Sequence, residues 1–367
     1  MNVCIISKFP PLEGGIAAKT YWLARAYADA GLRVHVISNA NTAEAEYKIT
    51  GCYPHINEIP GVTLHEVEET LPWHIPDEKH SVAKLVDKFL EVHAKHKIDV
   101  IDTGYLVPYG IAGYLANRII GVPYVIRHGG SDIAKFLNQG HLSHLLTETL
   151  KNANTVITDD TQKEFFAGLN KQVEVLTPYV PDPNYFFPLS EKIPGPPRLT
   201  FIGKINWYWE RKGLDLILKT LEYLPTDWDI KIIGQGRGKE RFQETFDDKS
   251  LEVIPFVPPW EVPHILRESD FVFCLAVDEP IPSFSNTTAE ALSCGAKIVI
   301  LEPVSSNLGI SKEHDNIVVV PDAEPTCIAQ ILQNAADVNN SDVRTKESGG
   351  CFHKYIRSNI QVISALK

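Results

Sequence analysis

The sequence is short of positive charge. Its 35 lysines and arginines face 46 acidic residues, giving a formal net charge of −11 at pH 7. A chain so balanced is poorly suited to gripping nucleic acid or an anionic membrane through its bulk field. It also has no C-x-x-C pair. Its six cysteines (Cys4, Cys52, Cys274, Cys294, Cys327, Cys351) are scattered, and Cys4 and Cys274 lie inside apolar, strand-like runs. That usage argues for buried free thiols and a reducing, cytoplasmic setting instead of a disulfide framework. No apolar run approaches the length of a transmembrane helix. The opening residues Met1–Lys8 carry no basic stretch followed by a long apolar one, so they read as a strand and not a signal peptide. Absent too are an H-E-x-x-H pair, a P-loop and a serine-hydrolase elbow. Asp159-Asp160 and Asp227-Trp-Asp229 come nearest to a D-x-D metal motif, and the second precedes a strand, at the wrong end of a sheet. No metal and no cofactor are expected.

What the chain does contain is length and alternation. With 367 residues, 44% of them hydrophobic, it has material for two full cores. Val3–Ser7, Val34–Ser38, Val62–Val67, Val100–Thr103, Tyr124–Arg127, Val156–Thr158 and Val173–Leu176 read as strands. Helical patterns fall between several of them, near Gly15–Ala30, His80–His96, Tyr109–Ile120 and Leu142–Asn152. Such alternation predicts a mainly parallel sheet covered by helices on both faces.

Proline then interrupts. Pro178, Pro181, Pro183, Pro188, Pro194, Pro196 and Pro197 fall within twenty residues, and proline cannot continue a central strand or a helix interior. A second alternating series follows. Strands are expected at Leu199–Gly203, Ile230–Gly234, Leu251–Val257, Phe271–Ala276, Lys297–Leu301 and Ile317–Val320. Helices are expected at Gly213–Tyr223, Gly238–Phe246, Trp260–Glu268, Thr288–Cys294 and Thr326–Ala336. The organisation is therefore α/β: one doubly wound domain over residues 1–180, a proline-rich linker over 181–198, and a second doubly wound domain over 199–345, facing across a cleft. Phe352–Leu366 is amphipathic enough for a final helix.

Ligands in such sheets bind beyond the C-terminal ends of the strands, and several loops there carry suggestive residues. Gly14 and Gly15 follow the first strand and open a helix, which permits close approach of backbone to a ligand, though an ordinary turn fits equally well. His128 ends the fifth strand and is followed by two glycines that clear space around it. A lone histidine is more often structural; placed here, it is suited to donating to a substrate hydroxyl. Lys204 and Lys212 bracket a loop containing Trp207, Tyr208 and Trp209. Two lysines converging at a strand end suit a diphosphate; on open surface they would be merely solvated. Gly234 follows another strand and reads as either a nucleotide-facing turn or a structural one. Last, Asp278–Gly295 runs strand, irregular loop, helix, and a helix N-terminus favours an anion.

Taken in order, the motifs resemble a known family. A glycine pair follows strand one. Then come R-H-G-G-S-D from Arg127, G-K…R-K-G-L-D-L-I-L from Gly203, I-I-G-Q-G from Ile232 and F-S-N-T-T-A-E-A-L-S-C-G from Phe284. The series is similar to the retaining nucleotide-sugar glycosyltransferases of family 4 (group 1), which have the GT-B fold. The resemblance covers nearly the whole chain and is more specific in the second half.

It implies roles. Gly14 and Gly15 match the loop that approaches donor diphosphate and acceptor, and His128 matches the histidine near the donor sugar. Lys204, where the family usually has arginine, and Lys212 match the diphosphate contacts. Ser285, Asn286, Thr287 and Thr288 match the loop whose amides face phosphate and sugar. Glu290 matches the second glutamate of the paired-glutamate motif, which binds ribose. The final helix, Phe352–Lys367, is expected to return to the first domain.

Two departures stand out. Pro282 occupies the place of the family's first glutamate, with Glu279 nearby as a possible donor-sugar contact, and Lys204 lacks arginine's bidentate fork. The implied activity is metal-independent transfer of a sugar from a nucleotide-diphosphate sugar to a hydroxyl acceptor: a glycan, a lipid-linked glycan or a small molecule. UDP, the commoner base in this family, is expected ahead of GDP. Competing readings are a non-catalytic nucleotide-sugar-binding protein and a phosphorylase or epimerase of the same fold. No nucleic-acid partner and no integral membrane segment are expected.

Overall fold

The computed structural model describes residues 1–53, 55–67, 81–129, 132–137, 142–177, 179–191, 193–205, 209–236, 238–240, 242, 253–275, 286–302, 316–337 and 349–367. Backbone contacts divide the chain into two compact units, Met1–Val180 with Gly350–Lys367, and Pro181–Gly349.

The first unit is built on seven strands: β1 (Asn2–Ile6), β2 (Arg33–Ser38), β3 (Val62–Glu66), β4 (Val100–Thr103), β5 (Tyr124–Arg127), β6 (Thr155–Thr158) and β7 (Val173–Val175). They pair in the order β3-β2-β1-β4-β5-β6-β7, every pairing parallel. The inner strands β4, β5 and β6 are buried at every residue, including the charged Asp102 and Arg127, so they carry no apolar–polar alternation.

The helices are α1 (Gly15–Asp29), α2 (Ser81–His96), α3 (Ile111–Ile120), α4 (Ser143–Lys151) and α5 (Lys163–Ala167). α3 ends where Gly121 takes φ 77° and returns its N–H to Asn117 O at 2.7 Å. Leu85 and Phe89 of α2 join Cys4 and Ile6 of β1, Ile37 of β2 and Ile101 of β4 in one core.

The second unit holds β8 (Arg198–Ile202), β9 (Asp229–Ile233), β10 (Val253–Ile254), β11 (Phe271–Phe273), β12 (Lys297–Leu301) and β13 (Ile317–Val320), in the order β10-β9-β8-β11-β12-β13, again all parallel. Its helices are α6 (Leu214–Leu221), α7 (Val262–Glu268), α8 (Asn286–Ser293) and α9 (Pro325–Asp337). Leu214, Ile217 and Leu218 of α6 pack with Ile328 and Leu332 of α9 and with Phe271 and Val299 of the sheet.

The last helix, α10 (Gly349–Ser364), belongs to the first unit. Tyr355 is buried there, and Lys367 reaches Asp99 at 3.3 Å. Residues 181–198, expected as a linker, fall with the second unit.

Some expected boundaries move. The strand expected over Leu251–Val257 pairs only at Val253–Ile254, and the one expected to reach Ala276 ends at Phe273. The helix expected from Tyr109 begins at Ile111, because Leu106–Gly110, with Pro108 inside it, forms a separate wide turn. The one-turn helix α5 was not anticipated. Most of the helix expected over Gly238–Phe246 lies outside the described residues. All six cysteines are free, and among the described residues no helix is long and apolar enough to cross a membrane.

Candidate active site

In the first unit the strand order reverses between β1 and β4: β2 and β3 lie on one side, β5 to β7 on the other. Doubly wound sheets bind ligands beyond the strand C-termini at such a point. Ser7, just past β1, is buried and shares a 2.9 Å hydrogen bond with Thr20 of α1. A Cβ on Gly104, just past β4, would lie 2.1 Å from Ser7 Oγ, so only glycine lets these two strand ends close up. Gly14 takes φ 100° and ψ 169°, a conformation open to glycine, and α1 begins at the next residue, Gly15.

His128 leaves β5 with Nε2 2.8 Å from Thr158 Oγ1 and its ring 4.8 Å from that of Phe166. Burial pushes its pKa down to about 4, with Asp159 opposing and Lys19 adding to the effect. The imidazole is therefore neutral at pH 7 and able to donate or accept a hydrogen bond without a charge.

The turn that holds His128 is fixed by Asp132, to which sequence reasoning gave no role. Its carboxylate accepts from the backbone N–H groups of Leu106 (3.0 Å), Gly129 (3.0 Å) and Ile133 (3.1 Å). Burial raises its pKa, and these bonds work against the rise. A Cβ on Gly129 would come within 2.9 Å of Ile16 and 3.0 Å of Tyr105, so this glycine serves close packing. Gly130 and Ser131 lie outside the described residues.

Four further residues here had no role in the sequence reading: Arg127, Asp102, Tyr27 and Lys19. Arg127, buried, donates to Asp102, and Tyr27 bonds to both. Lys19, in the second turn of α1, lines two small cavities together with Arg127. Asp102 and Gly104 border the first, and His128, Thr158 and Asp159 border the second, of about 40 Å³. Burial lowers the Lys19 pKa to about 8, Arg127 adds to this, and Asp102, Asp159 and Asp132 oppose it. The available signal was a lysine set among Ala17, Ala18, Trp22 and Leu23 just after the glycine pair.

In the second unit the order reverses between β8 and β11. Lys204 is the second residue after β8, and Lys212 closes the single-turn helix Trp209–Lys212. Gly213 follows with φ 71°, and a Cβ there would sit 2.0 Å from Leu275 O. This close approach seats the start of α6 against the chain leaving β11.

Lys212 keeps access to water. Packing around it nonetheless holds its pKa below the ordinary lysine value, with Cys274 opposing and Lys204 adding to the effect. Lys204 thus raises the cost of charge on Lys212, a cost that an anion between them would relieve. Cys274 Sγ lies 3.2 Å from Thr288 Oγ1 and ties the end of β11 to the first turn of α8. Asn286, Thr287 and Thr288 form that first turn; Thr288 and Glu290 are buried.

Gly234 is used for packing. Its Cβ would lie 2.3 Å from Gly203 O, and the loops are laced by Gly203 N–H to Ile233 O (3.0 Å), Ile205 N–H to Gln235 O (3.0 Å) and Gly238 N–H to Ile205 O (2.9 Å). Trp209 is buried with its ring 5.7 Å from that of Phe242. Trp207 and Tyr208, like Ser285, Glu279 and Pro282, lie outside the described residues.

Each unit matches a described family domain. Residues 14–161 match the glycosyl transferase 4-like domain, and residues 196–337 match the glycosyl transferases group 1. The chain belongs to the group 1 glycosyl transferases. Among curated relatives, this group 1 glycosyl transferase is 22% identical to the N-acetyl-alpha-D-glucosaminyl L-malate synthase of Bacillus anthracis, across 79% of this chain and 76% of that one. Among solved structures, HepE of Anabaena in complex with UDP-glucose superposes with TM-score 0.67 at 16% identity, covering 100% of this chain and 98% of that one. Sucrose-phosphate synthase of Thermosynechococcus elongatus gives TM-score 0.67 at 16% identity, covering 100% and 96%. The likeness to both shows the fold, that of the GT-B glycosyltransferases.

Proposed function

We propose that this group 1 glycosyl transferase is a retaining, metal-independent enzyme. It moves a sugar from a nucleoside diphosphate sugar, with UDP preferred to GDP, to a hydroxyl group of its acceptor. The observation that carries this reading is that Lys212, its pKa lowered by the packing around it and by Lys204, stands near the switch point of the second sheet, next to the tie from Cys274 to the first turn of α8. The two cations and the α8 amides would stabilise charge as it builds on the leaving diphosphate. Glu290 would serve the ribose. In the first unit, neutral His128 would hydrogen-bond a hydroxyl of the donor sugar, and the Gly14–Gly15 backbone would approach phosphate and acceptor. The departing phosphate oxygen would take the acceptor's proton on the face from which it leaves, so no protein nucleophile is required. The UDP-glucose complex of HepE and the relative named as an N-acetyl-alpha-D-glucosaminyl L-malate synthase support a nucleotide-sugar donor.

The test is a thermal-shift screen of nucleotides and nucleotide sugars, followed by product analysis with the donor that stabilises most. Stabilisation by a UDP sugar and a product that keeps the donor's anomeric configuration are expected, with turnover unchanged by EDTA. Binding without any transfer would favour the non-catalytic reading, which the proline at position 282 motivates. Product formed without an acceptor would favour an epimerase.

A further inference from the structure

The first sheet carries a cluster that transfer chemistry does not use. His35 lies in β2, His65 in β3, and His96 is the last residue of α2. The ladder pairs His35 with Thr63 and Ile37 with His65, so the two strand histidines sit diagonally on one face. That face is the one α2 covers, because Ile37 packs with Leu85 and Phe89. His35 Nδ1 is 3.0 Å from His65 Nε2, and the His35 and His96 rings have centroids 4.3 Å apart. One ring nitrogen from each of the three lies within 4.8 Å of the other two. His35 is buried, His65 half-buried and His96 exposed, so the cluster opens to water on one side.

Three ring nitrogens so placed can offer three lone pairs to one point once the proton between His35 and His65 sits on the far nitrogen of its ring. Burial pushes the His35 and His65 pKa values down to about 4, and His96 adds to this in both. Arg33 faces His35, while Lys88, Lys95 and Glu91 face His65. The two lysines are drawn onto Glu91, at 2.7 Å and 2.6 Å.

We propose that His35, His65 and His96 bind a divalent transition-metal ion, with Zn²⁺ the best fit, through three imidazole nitrogens and one water. Zn–N bonds of about 2.0–2.1 Å in a tetrahedron place the nitrogens about 3.3–3.4 Å apart. The His35–His65 contact needs only a slight opening to reach that spacing, and His96, being exposed, is free to turn inward. The proton shared between His35 and His65 moves to the other nitrogen of its own ring, so each imidazole stays neutral.

The role is structural. β2 and β5, the strand that His128 follows, are separated by β1 and β4, three strand spacings or about 14 Å. The ion staples edge strand β3 and the end of α2 to β2. It leaves the metal independence of transfer untouched, so the two claims stand or fall separately.

The test uses untagged protein stripped with EDTA. Added Zn²⁺ is expected to raise the Tm by about 5 °C once well above its Kd. One equivalent of Co²⁺ is expected to give the intense visible absorption of a tetrahedral nitrogen site. Both signals should vanish in His96→Ala, an exposed change that leaves folding and 25 °C turnover intact, and in His65→Gln. No Tm shift and no Co²⁺ band in the parent protein would overturn the proposal, as would signals that survive both substitutions.

Discussion

Arg127 donates from Nε to Asp102 Oδ1 at 2.7 Å and from Nη2 to Asp102 Oδ2 at 3.0 Å, with both side chains buried. The planar guanidinium meets the carboxylate two-pronged, while Tyr27 donates to Asp102 Oδ2 at 3.2 Å and accepts from Arg127 Nη2 at 3.1 Å. Replacing Asp102 with alanine leaves a buried guanidinium without its counter-charge. The expected cost is about 3–5 kcal/mol in urea unfolding. A loss under about 1 kcal/mol would mean that the pair contributes little to the fold.

Lys212→Ala is expected to lower turnover at saturating donor by about a hundredfold or more, the scale of a lost contact to a developing oxyanion. Lys204→Ala should act in the same direction. The effect belongs in kcat, because the diphosphate gains charge only as the glycosidic bond breaks. Full turnover by Lys212→Ala would remove this residue from the mechanism.

His128 ties stability to acidity. Its pKa falls from 6.5 to about 4 on folding. Between these values the unfolded chain binds a proton that the folded chain refuses, so its contribution is complete above about pH 6.5 and fades as the pH drops toward 4. The Tm of His128→Gln, followed from pH 7 to pH 4.5, should fall less than that of the parent protein. Parallel curves would show that the imidazole titrates alike in both states.

Gly213→Ala adds a methyl group 2.0 Å from the Leu275 carbonyl oxygen at a residue with φ 71°. Something must shift, and backbone lies on both sides of the clash. A destabilisation of at least about 1–3 kcal/mol is expected, with weakened nucleotide binding because Lys212 is its neighbour. Chemical denaturation and a UDP titration check the two parts. A neutral result would show that the turn has slack.

Much of this was legible in the sequence because both sheets are parallel and buried. Buried parallel strands are written as short apolar runs such as Ile-Val-Ile-Leu at the end of Lys297–Leu301, and helices between them carry a separate period. Element ends were harder. The turn at Leu106–Gly110 looks helical in composition, and Pro108 inside it does not by itself show where α3 starts. α5, with the sequence Lys-Glu-Phe-Phe-Ala, has one buried residue, Phe166, and one turn cannot show a period.

In the candidate site, residues with a motif around them, such as His128 and Lys212, could be singled out from the sequence. Lys19, Asp132 and the Arg127–Asp102 pair were not given roles. Their significance rests on at least one contact across 25 residues or more, as between Asp102 and Arg127 or Asp132 and Leu106, which composition and spacing do not encode. The histidine cluster draws on three separate elements for the same reason.

The first unit is written in two pieces, with Pro181–Gly349 between them. Its closing piece brings Tyr355, whose pKa burial pushes up to about 12 and whose hydroxyl feels both Arg127 and Asp102. On the ribosome the first seven strands are therefore synthesised long before the helix whose tyrosine feels their buried ion pair. The surroundings of that pair are complete only after the whole second unit has emerged.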